Sequence, residues 1–202
     1  MRTPLVEPSA DGTAALALAV HRREHGAFDS FVQAWERPLF EYACRLLQNS
    51  FDAQEVVQDA LMRAHRALTR QYDEDRCRAL AVRPWLFRIA RNLSLNRRRG
   101  VWSKIEQPLS AFDDDRIGAF ADGRQAGAEL EQAQQLARLE RALEKLPTEG
   151  RELVVLRFIE EMSYAEIAKT TGLSETQLRG RVFRALKLLR TALEKEGASH
   201  AL

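Results

Sequence analysis

Residues 163–190 read SYAEIAKTTGLSETQLRGRVFRALKLLR, a run with two helix starts and one helix stop. Ser163 and Ser174 are each followed three residues later by Glu or Gln, the capping-box pattern that begins a helix. Gly172 lies just before the second serine, and glycine readily adopts the positive φ with which many helices end. Two short helices joined by a glycine turn indicate a helix-turn-helix.

The second helix of this pair has a basic face. Between residues 173 and 190, five basic side chains stand against one acid, Glu175. A recognition helix in a major groove needs such side chains, because they contact phosphates and guanine edges. A basic face that is simply solvated is the alternative, but this helix is the one that a helix-turn-helix presents to DNA.

Outward from this motif the chain is helical almost throughout. Apolar residues recur at spacings of three and four, as in amphipathic helices, in four further stretches: 28–47, 56–68, 86–93 and 136–146. This pattern is absent over 101–133, where glycine, alanine, glutamine and acidic residues predominate. Such a composition predicts a linker. We therefore predict an all-α protein of two small helical domains joined by a flexible acidic linker, the C-terminal one a helix-turn-helix four-helix domain.

The predicted boundaries follow these changes of pattern. They are an N-terminal extension over 1–24, a first domain over 25–100, the linker over 101–133, a second domain over 134–196 and a C-terminal tail over 197–202. The start of the extension is alanine-rich and weakly patterned, so no role is assigned to it.

Local signals place the helices of the first domain. Asp52, three residues before Glu55, should cap a helix. Pro38 should kink the helix that contains it, whereas Pro84 suits the first position of a helix that runs to about residue 99. The residues between these helices, 70–83, lose the helical pattern and are expected to form a loop.

The charge of the chain is nearly balanced but strongly segregated. The 202 residues include 31 basic and 29 acidic ones, and the net charge of +2 argues against a general polyelectrolyte. Residues 84–104, however, have six basic side chains and no acid, with Trp85, Phe87 and Trp102 interleaved. Basic groups with aromatic rings suit single-stranded DNA, whose bases stack on such rings, although the rings would equally suit a core. The acids concentrate in the linker, seven against two bases over 105–132.

Several kinds of site are not expected from this sequence. Two cysteines without a CxxC spacing argue against a zinc site and a disulfide scaffold. His21 and His25 lack a third ligand, and no phosphate loop, nucleophile elbow or HExxH motif is present. No metal, cofactor or catalytic residue is therefore predicted. The apolar runs are too short for a membrane span of about 20 residues, so a cytoplasmic protein is expected.

Two groups of motifs, taken in order, resemble one family. Residues 52–61 (DAQEVVQDAL) and 85–92 (WLFRIARN) resemble the promoter-melting domain of extracytoplasmic-function (ECF) sigma factors. Residues 146–190 resemble the promoter-upstream domain of the same family. The resemblance covers 25–100 and 134–194, and the two domains in this order are far more specific than either motif alone.

The resemblance implies an alternative sigma factor that binds core RNA polymerase and directs initiation at promoters with −10 and −35 elements. Its implied partners are the β′ clamp helices and the β flap of polymerase, duplex DNA at −35, the single non-template strand at −10, and an anti-sigma factor. The loop over 70–83 matches the family segment that holds a flipped-out base. The protein is not expected to be an enzyme.

The resemblance also implies roles for individual residues. Contacts to the −35 duplex are expected from Arg179, Arg181, Phe183, Arg184 and Lys187. Contacts to the −10 strand are expected from Arg88, Arg91, Asn92, Asn96, Arg98 and Arg99. Docking on polymerase is expected from Asp52, Gln54, Glu55, Gln58 and Asp59.

Three positions depart from the common family pattern. Asn96 and Gln54 stand where many relatives have an acid, and Gly180 stands where many have serine. Gly180 brings no side chain to the recognition helix, so an unusual −35 preference is expected.

The competing interpretation is a self-sufficient helix-turn-helix regulator that binds duplex DNA as a dimer. That class explains the second domain but not the aromatic-basic helix of the first.

Overall fold

The computed structural model describes residues 10–104 and 128–199, and every element within these ranges is helical. The elements are α1 (Ala10–His21), α2 (Ala27–Leu47), α3 (Ser50–Arg70), α4 (Glu74–Arg78), α5 (Val82–Lys104), α6 (Ala128–Glu144), α7 (Thr148–Val154), a π-helical turn (Val155–Ile159), α8 (Tyr164–Thr171) and α9 (Glu175–Ser199). The all-α prediction is confirmed. Most of the predicted linker lies outside the described residues. Within the described ranges, no helix combines the length and the apolar character needed to cross a membrane.

Helices α2, α3 and α5 form the core of the first domain. Phe31, Leu39 and Tyr42 of α2 and Leu86 and Phe87 of α5 are fully buried. Tyr42 meets Phe87 edge-on, with ring centroids 5.1 Å apart. Burial of each such side chain stabilises the fold by about 1.5–3 kcal/mol. Helix α3 packs closely here through small buried side chains: Ala53, Ala60 and Ala64.

Helix α1 joins this core, although the sequence assigned no role to its segment. Ala17 and Val20 are buried in the same apolar cluster as the α2 side chains. His21 Nδ1 lies 2.8 Å from the backbone oxygen of Leu68 on α3. At the end of α1, Arg22 pairs with Glu74 of α4 at 2.5 Å. These contacts tie α1 to α3 and α4.

Some local expectations in the first domain are wrong. Asn49, not Asp52, caps α3, because its Oδ1 accepts a 3.1 Å hydrogen bond from the Asp52 N–H. The segment expected as a loop contains α4, whose cap Asp73 accepts from a backbone N–H of the first turn at 2.8 Å. Pro38 lies inside α2, which continues to Leu47, and the kink expected at this proline stays a prediction. Pro84 is the third residue of α5, where its missing N–H costs no helical hydrogen bond.

The cap signals of the second domain are confirmed. Ser163 Oγ accepts from the N–H of Glu166 at 3.2 Å, and the Glu166 carboxylate accepts from the N–H of Ser163 at 2.9 Å. Ser174 and Gln177 form the same reciprocal pair at 3.3 and 3.0 Å. Gly172 ends α8 at a φ of 79°, which strains residues that have a side chain. These local devices set the turn from α8 into α9.

The two domains pack against each other and share an apolar core. Leu156, Met162 and Ile167 of the second domain belong to the same contact cluster as the buried side chains of the first. Helix α8 packs on α5, and α7 packs on α2. A smaller cluster, which includes Leu143 and Leu189, joins α6 to α9. The sequence contained no signal for this arrangement, because the residues that meet are distant in the chain.

Candidate functional site

Helix α9 presents one continuous face to solvent. Four of the five residues expected to contact a −35 duplex are exposed on it at spacings of one to four residues: Arg179, Phe183, Arg184 and Lys187. Phe183 is 71% exposed, which is unusual for a large apolar residue. Arg181 instead pairs with Glu149 of α7 and lies at the side of this face. The face therefore offers three cations and one bare aromatic ring to a groove.

A surface depression of about 370 Å³, open to solvent and called the cavity below, lies between the C-terminal half of α3 and the start of α5. Its walls are Arg63, Arg66, Ala67, Gln71, Tyr72, Trp85 and Ile89. The ring centroids of Tyr72 and Trp85 are 5.8 Å apart, and the Arg76 guanidinium lies 3.8 Å from the Tyr72 centroid. Aromatic rings beside arginines stack unpaired bases and contact their phosphates.

The residues expected to contact a −10 strand divide between two faces of α5. Arg88, Asn92 and Asn96 are exposed at a spacing of four, so they form one row that continues from the cavity. Arg91 and Arg98 face the second domain, where they contact Glu152 and Thr148 respectively. The side chain of Arg99 lies outside the described residues.

The N-terminal half of α3 contains three acids, of which Glu55 and Asp59 are exposed and Asp52 is half-buried. Arg97 of α5 pairs with both Asp52, at 2.7 Å, and Glu55, and its hydrogen bond to Asp52 raises the pKa of the guanidinium. The other residues expected to dock on polymerase are exposed: Gln54, Gln58 and Asp59. Two apolar side chains border these acids, Phe51 at 75% exposure at the start of α3 and Met62 at 43% just past its middle. All these positions recur at helical spacing, so α3 offers acids around apolar anchors.

Glu152 links the two domains through a buried polar cluster. The residue is 2% exposed, and its Oε1 accepts hydrogen bonds from the Tyr42 hydroxyl at 2.9 Å and from Arg91 Nε at 2.7 Å. Burial, with the charge of Glu152 next, raises the pKa of Tyr42 well above its ordinary value. The tyrosine therefore remains a hydrogen-bond donor at physiological pH, and Arg91 neutralises the buried carboxylate.

Known protein families match both domains. The family model for sigma-70 region 2 matches residues 31–104, and that for sigma-70 region 4 matches residues 136–189. The ECF RNA polymerase sigma factor SigE of Mycolicibacterium smegmatis is 31% identical over 97% of this chain and 74% of its own. This chain belongs to the ECF RNA polymerase sigma factors.

Further relatives agree with membership of the ECF sigma factors. RNA polymerase sigma factor NccH of Alcaligenes xylosoxydans xylosoxydans is 30% identical over 94% of this chain and 98% of its own. The structure of CnrH, solved in complex with the cytosolic domain of CnrY, is 31% identical with a TM-score of 0.64, over 91% of this chain and 97% of CnrH. The sigma factor RpoE of Bartonella quintana, solved with the anti-sigma factor NepR, is 23% identical with a TM-score of 0.61, over 84% of this chain and 98% of RpoE, and supports the fold.

The ECF sigma factor directs promoter-specific transcription initiation with RNA polymerase, and the function expected from its motifs is confirmed. The prediction of two helical domains is confirmed as well. Sigma factors are initiation factors that do not themselves catalyse a reaction. A self-sufficient helix-turn-helix regulator is not favoured, because the first domain is a sigma region 2.

Four residues on the surfaces of this ECF sigma factor were not predicted from its sequence. They are Phe51 at the acidic start of α3, Met62 near its middle, and Arg63 and Arg66 in the cavity. A signal for the arginines was present, since they recur with Arg70 at helical spacing directly after the acids. The apolar pair had no signal, because a phenylalanine or methionine in a helical sequence is as readily interpreted as a core residue.

Proposed function

We propose that this sigma factor meets its partners through three separate surfaces. Helix α9 reads the −35 duplex, the cavity and the exposed row of α5 capture the −10 non-template strand, and the N-terminal half of α3 docks on the β′ clamp helices. The observation that carries this proposal is the division of α3, which is acidic with exposed Phe51 at its start and basic beside the cavity at its end, with exposed Met62 between the two parts. The helix dipole alone favours this order of charges, but it explains neither the bare apolar side chains nor the aromatic cavity.

The cavity supports capture of an unpaired base. Flipping a base out of its stack costs a few kcal/mol, which contacts in a pocket must offset. Tyr72 and Trp85 provide stacking surfaces, while Arg63 and Arg66 provide charge for the phosphates on either side. Tyr72 also belongs to the 70–83 segment, which the family resemblance assigns to a flipped base.

The remaining proposals follow from membership of the family. We propose domain boundaries at 25–100 and 134–196, with the second domain also resting on the β flap. CnrH was solved with the cytosolic domain of CnrY and RpoE with the anti-sigma factor NepR, which supports an anti-sigma factor as a further partner of this chain. The protein acts where polymerase acts, in the cytoplasm, and leaves all catalysis to that enzyme.

Run-off transcription with core polymerase and a promoter library tests the role of α9. We expect wild-type protein to select promoters with one −35 sequence and Arg184→Ala to lose that selection, because a bidentate arginine–guanine contact provides about 1–3 kcal/mol of discrimination. Arg190→Ala is the matched control, since Arg190 is an exposed arginine on the same helix that pairs only with Glu194 among the described contacts. If Arg184→Ala keeps wild-type selectivity, Arg184 does not read a base.

Charge reversal of Glu55 tests the polymerase surface. Glu55→Lys should weaken binding to core polymerase by about 1–2 kcal/mol, a factor of roughly 5–30, because a like charge then faces the partner. Glu41→Lys is the control, as Glu41 is a half-exposed acid on α2 that pairs with two arginines, Arg37 and Arg45. Titration of labelled protein with core enzyme at two salt concentrations measures the effect. Equal affinities for the wild type and Glu55→Lys would remove Glu55 from the docking surface.

A further inference from the structure

Gly180 has no explanation in the fold itself. It lies inside α9 with a helical backbone, and a Cβ built on it would meet no atom within 4 Å. Glycine within a helix is less stable than alanine, since it loses more backbone freedom on folding. Neither packing nor backbone conformation therefore accounts for a glycine at this position, which leaves the solvent side of the helix.

Gly180 occupies the centre of the exposed face of α9. Thr176 and Gln177 precede it by one turn, and Phe183 and Arg184 follow it by one turn, all four exposed. The absence of a side chain between these neighbours leaves a gap with backbone at its floor. We call this gap at Gly180 the notch. Phe183 and Arg184 form its C-terminal wall.

The ring of Phe183 determines which chemistry suits the notch. It is 71% exposed and is the one apolar group among the four neighbours of Gly180. In the major groove, bases present donors and acceptors, with one apolar group, the C5-methyl of thymine, which apolar side chains contact. A gap the size of a missing Cβ, bordered by an aromatic ring, matches that methyl group in size and polarity.

We propose that Gly180 and Phe183 together read a thymine of the −35 element, whose methyl group enters the notch and contacts the ring. This inference rests on the proposed function of α9 as the −35 reader. Gly180 is then a specificity-determining residue that acts by leaving room. The neighbouring Arg184 supplies the polar part of the readout one position along the same face.

Thymine-to-deoxyuridine replacement tests the inference at the level of one methyl group. With holoenzyme and duplex promoters that carry the −35 sequence recovered from the run-off selection, each thymine is replaced in turn. We expect one replacement to weaken −35-dependent initiation about fourfold, the equivalent of burying one carbon group. Phe183→Ala should initiate less well and should no longer distinguish thymine from deoxyuridine at that position.

Gly180→Ala is the second test. It is expected to raise the stability of the fold and to lower recognition of the promoter. The added Cβ meets no protein atom, so the variant should unfold at a higher temperature than wild type. The same Cβ fills the notch, so initiation from the thymine promoter should fall several-fold and its preference over deoxyuridine should disappear. Thr191→Ala, exposed three turns further along α9, controls for increased helix propensity and should leave promoter preference unchanged.

The outcomes separate this inference from the proposal on which it rests. If initiation depends on the −35 sequence but no deoxyuridine replacement alters it, the thymine contact is wrong and the assignment of α9 stands. If Gly180→Ala initiates as well as wild type with the same thymine preference, the notch has no role. If wild-type holoenzyme shows no −35 dependence, the assignment of α9 fails and the inference fails with it.

Discussion

Trp85→Ala should reduce initiation from a duplex promoter by roughly 5–150-fold, while affinity for core polymerase stays at the wild-type level. Stacking of one base on an aromatic ring contributes about 1–3 kcal/mol, which here offsets the cost of unpairing the −10 region. Trp85 lines the cavity and faces Tyr72, and it lies away from the acidic half of α3. Run-off assays at saturating holoenzyme, with permanganate probing of unpaired thymines, measure initiation and melting together.

Two comparisons show whether the ring of Trp85 acts on DNA. Trp85→Phe keeps a stacking surface and should recover most of the activity, whereas a polar contact through the indole N–H would not be recovered. On a heteroduplex whose −10 region is already unpaired, the Trp85→Ala defect should shrink, because stacking no longer has to offset unpairing. An equal defect on duplex and heteroduplex, or no defect on duplex, would exclude base capture by Trp85.

The parts of this fold that the sequence predicted correctly are those set by short-range geometry. A capping box is complete within four residues, so Ser163 and Ser174 could be recognised without knowledge of the rest of the chain. Gly172 is a similar case, because its φ of 79° is a property of one residue. The exposed face of α9 followed from helical spacing once these caps had defined where the helix starts.

The parts that the sequence did not predict depend on distant contacts or on competition between caps. Asn49 and Asp52 both suit a helix N-terminus, and only the backbone geometry shows that Asn49 is the cap. The cavity needs α3 and α5 to lie side by side, so Arg63 and Trp85 could not be paired in advance. The ion pair of Arg91 with Glu152 could not be predicted either, because 61 residues separate the two in the chain. Helical periodicity reports which face is apolar, not which helix covers it.

Glu152→Ala should destabilise the folded protein far more than the loss of any exposed ion pair. Removing one partner of a buried ion pair typically costs about 3–5 kcal/mol, because the other charge is left without compensation. Arg91 keeps about one fifth of its side-chain exposure, which lets water reach it and lowers the expected loss to about 2–4 kcal/mol. The Tyr42 hydroxyl also loses its acceptor in a fully buried position. Urea unfolding followed by helical circular dichroism measures the difference.

The position of Glu152 between the domains makes the shape of this transition informative. Because Leu156 and Met162 share an apolar core with the first domain, wild-type protein should unfold in one transition.

Glu152→Gln keeps an acceptor for Tyr42 and should lose less stability than Glu152→Ala. The double change Glu152→Ala with Arg91→Ala should cost less than the sum of the single changes, since no charge is then left unpaired. Glu194→Ala removes an exposed pair on α9 and should cost only about 0.3–0.5 kcal/mol. If Glu152→Ala costs no more than this control, the buried pair does not stabilise the contact between the domains.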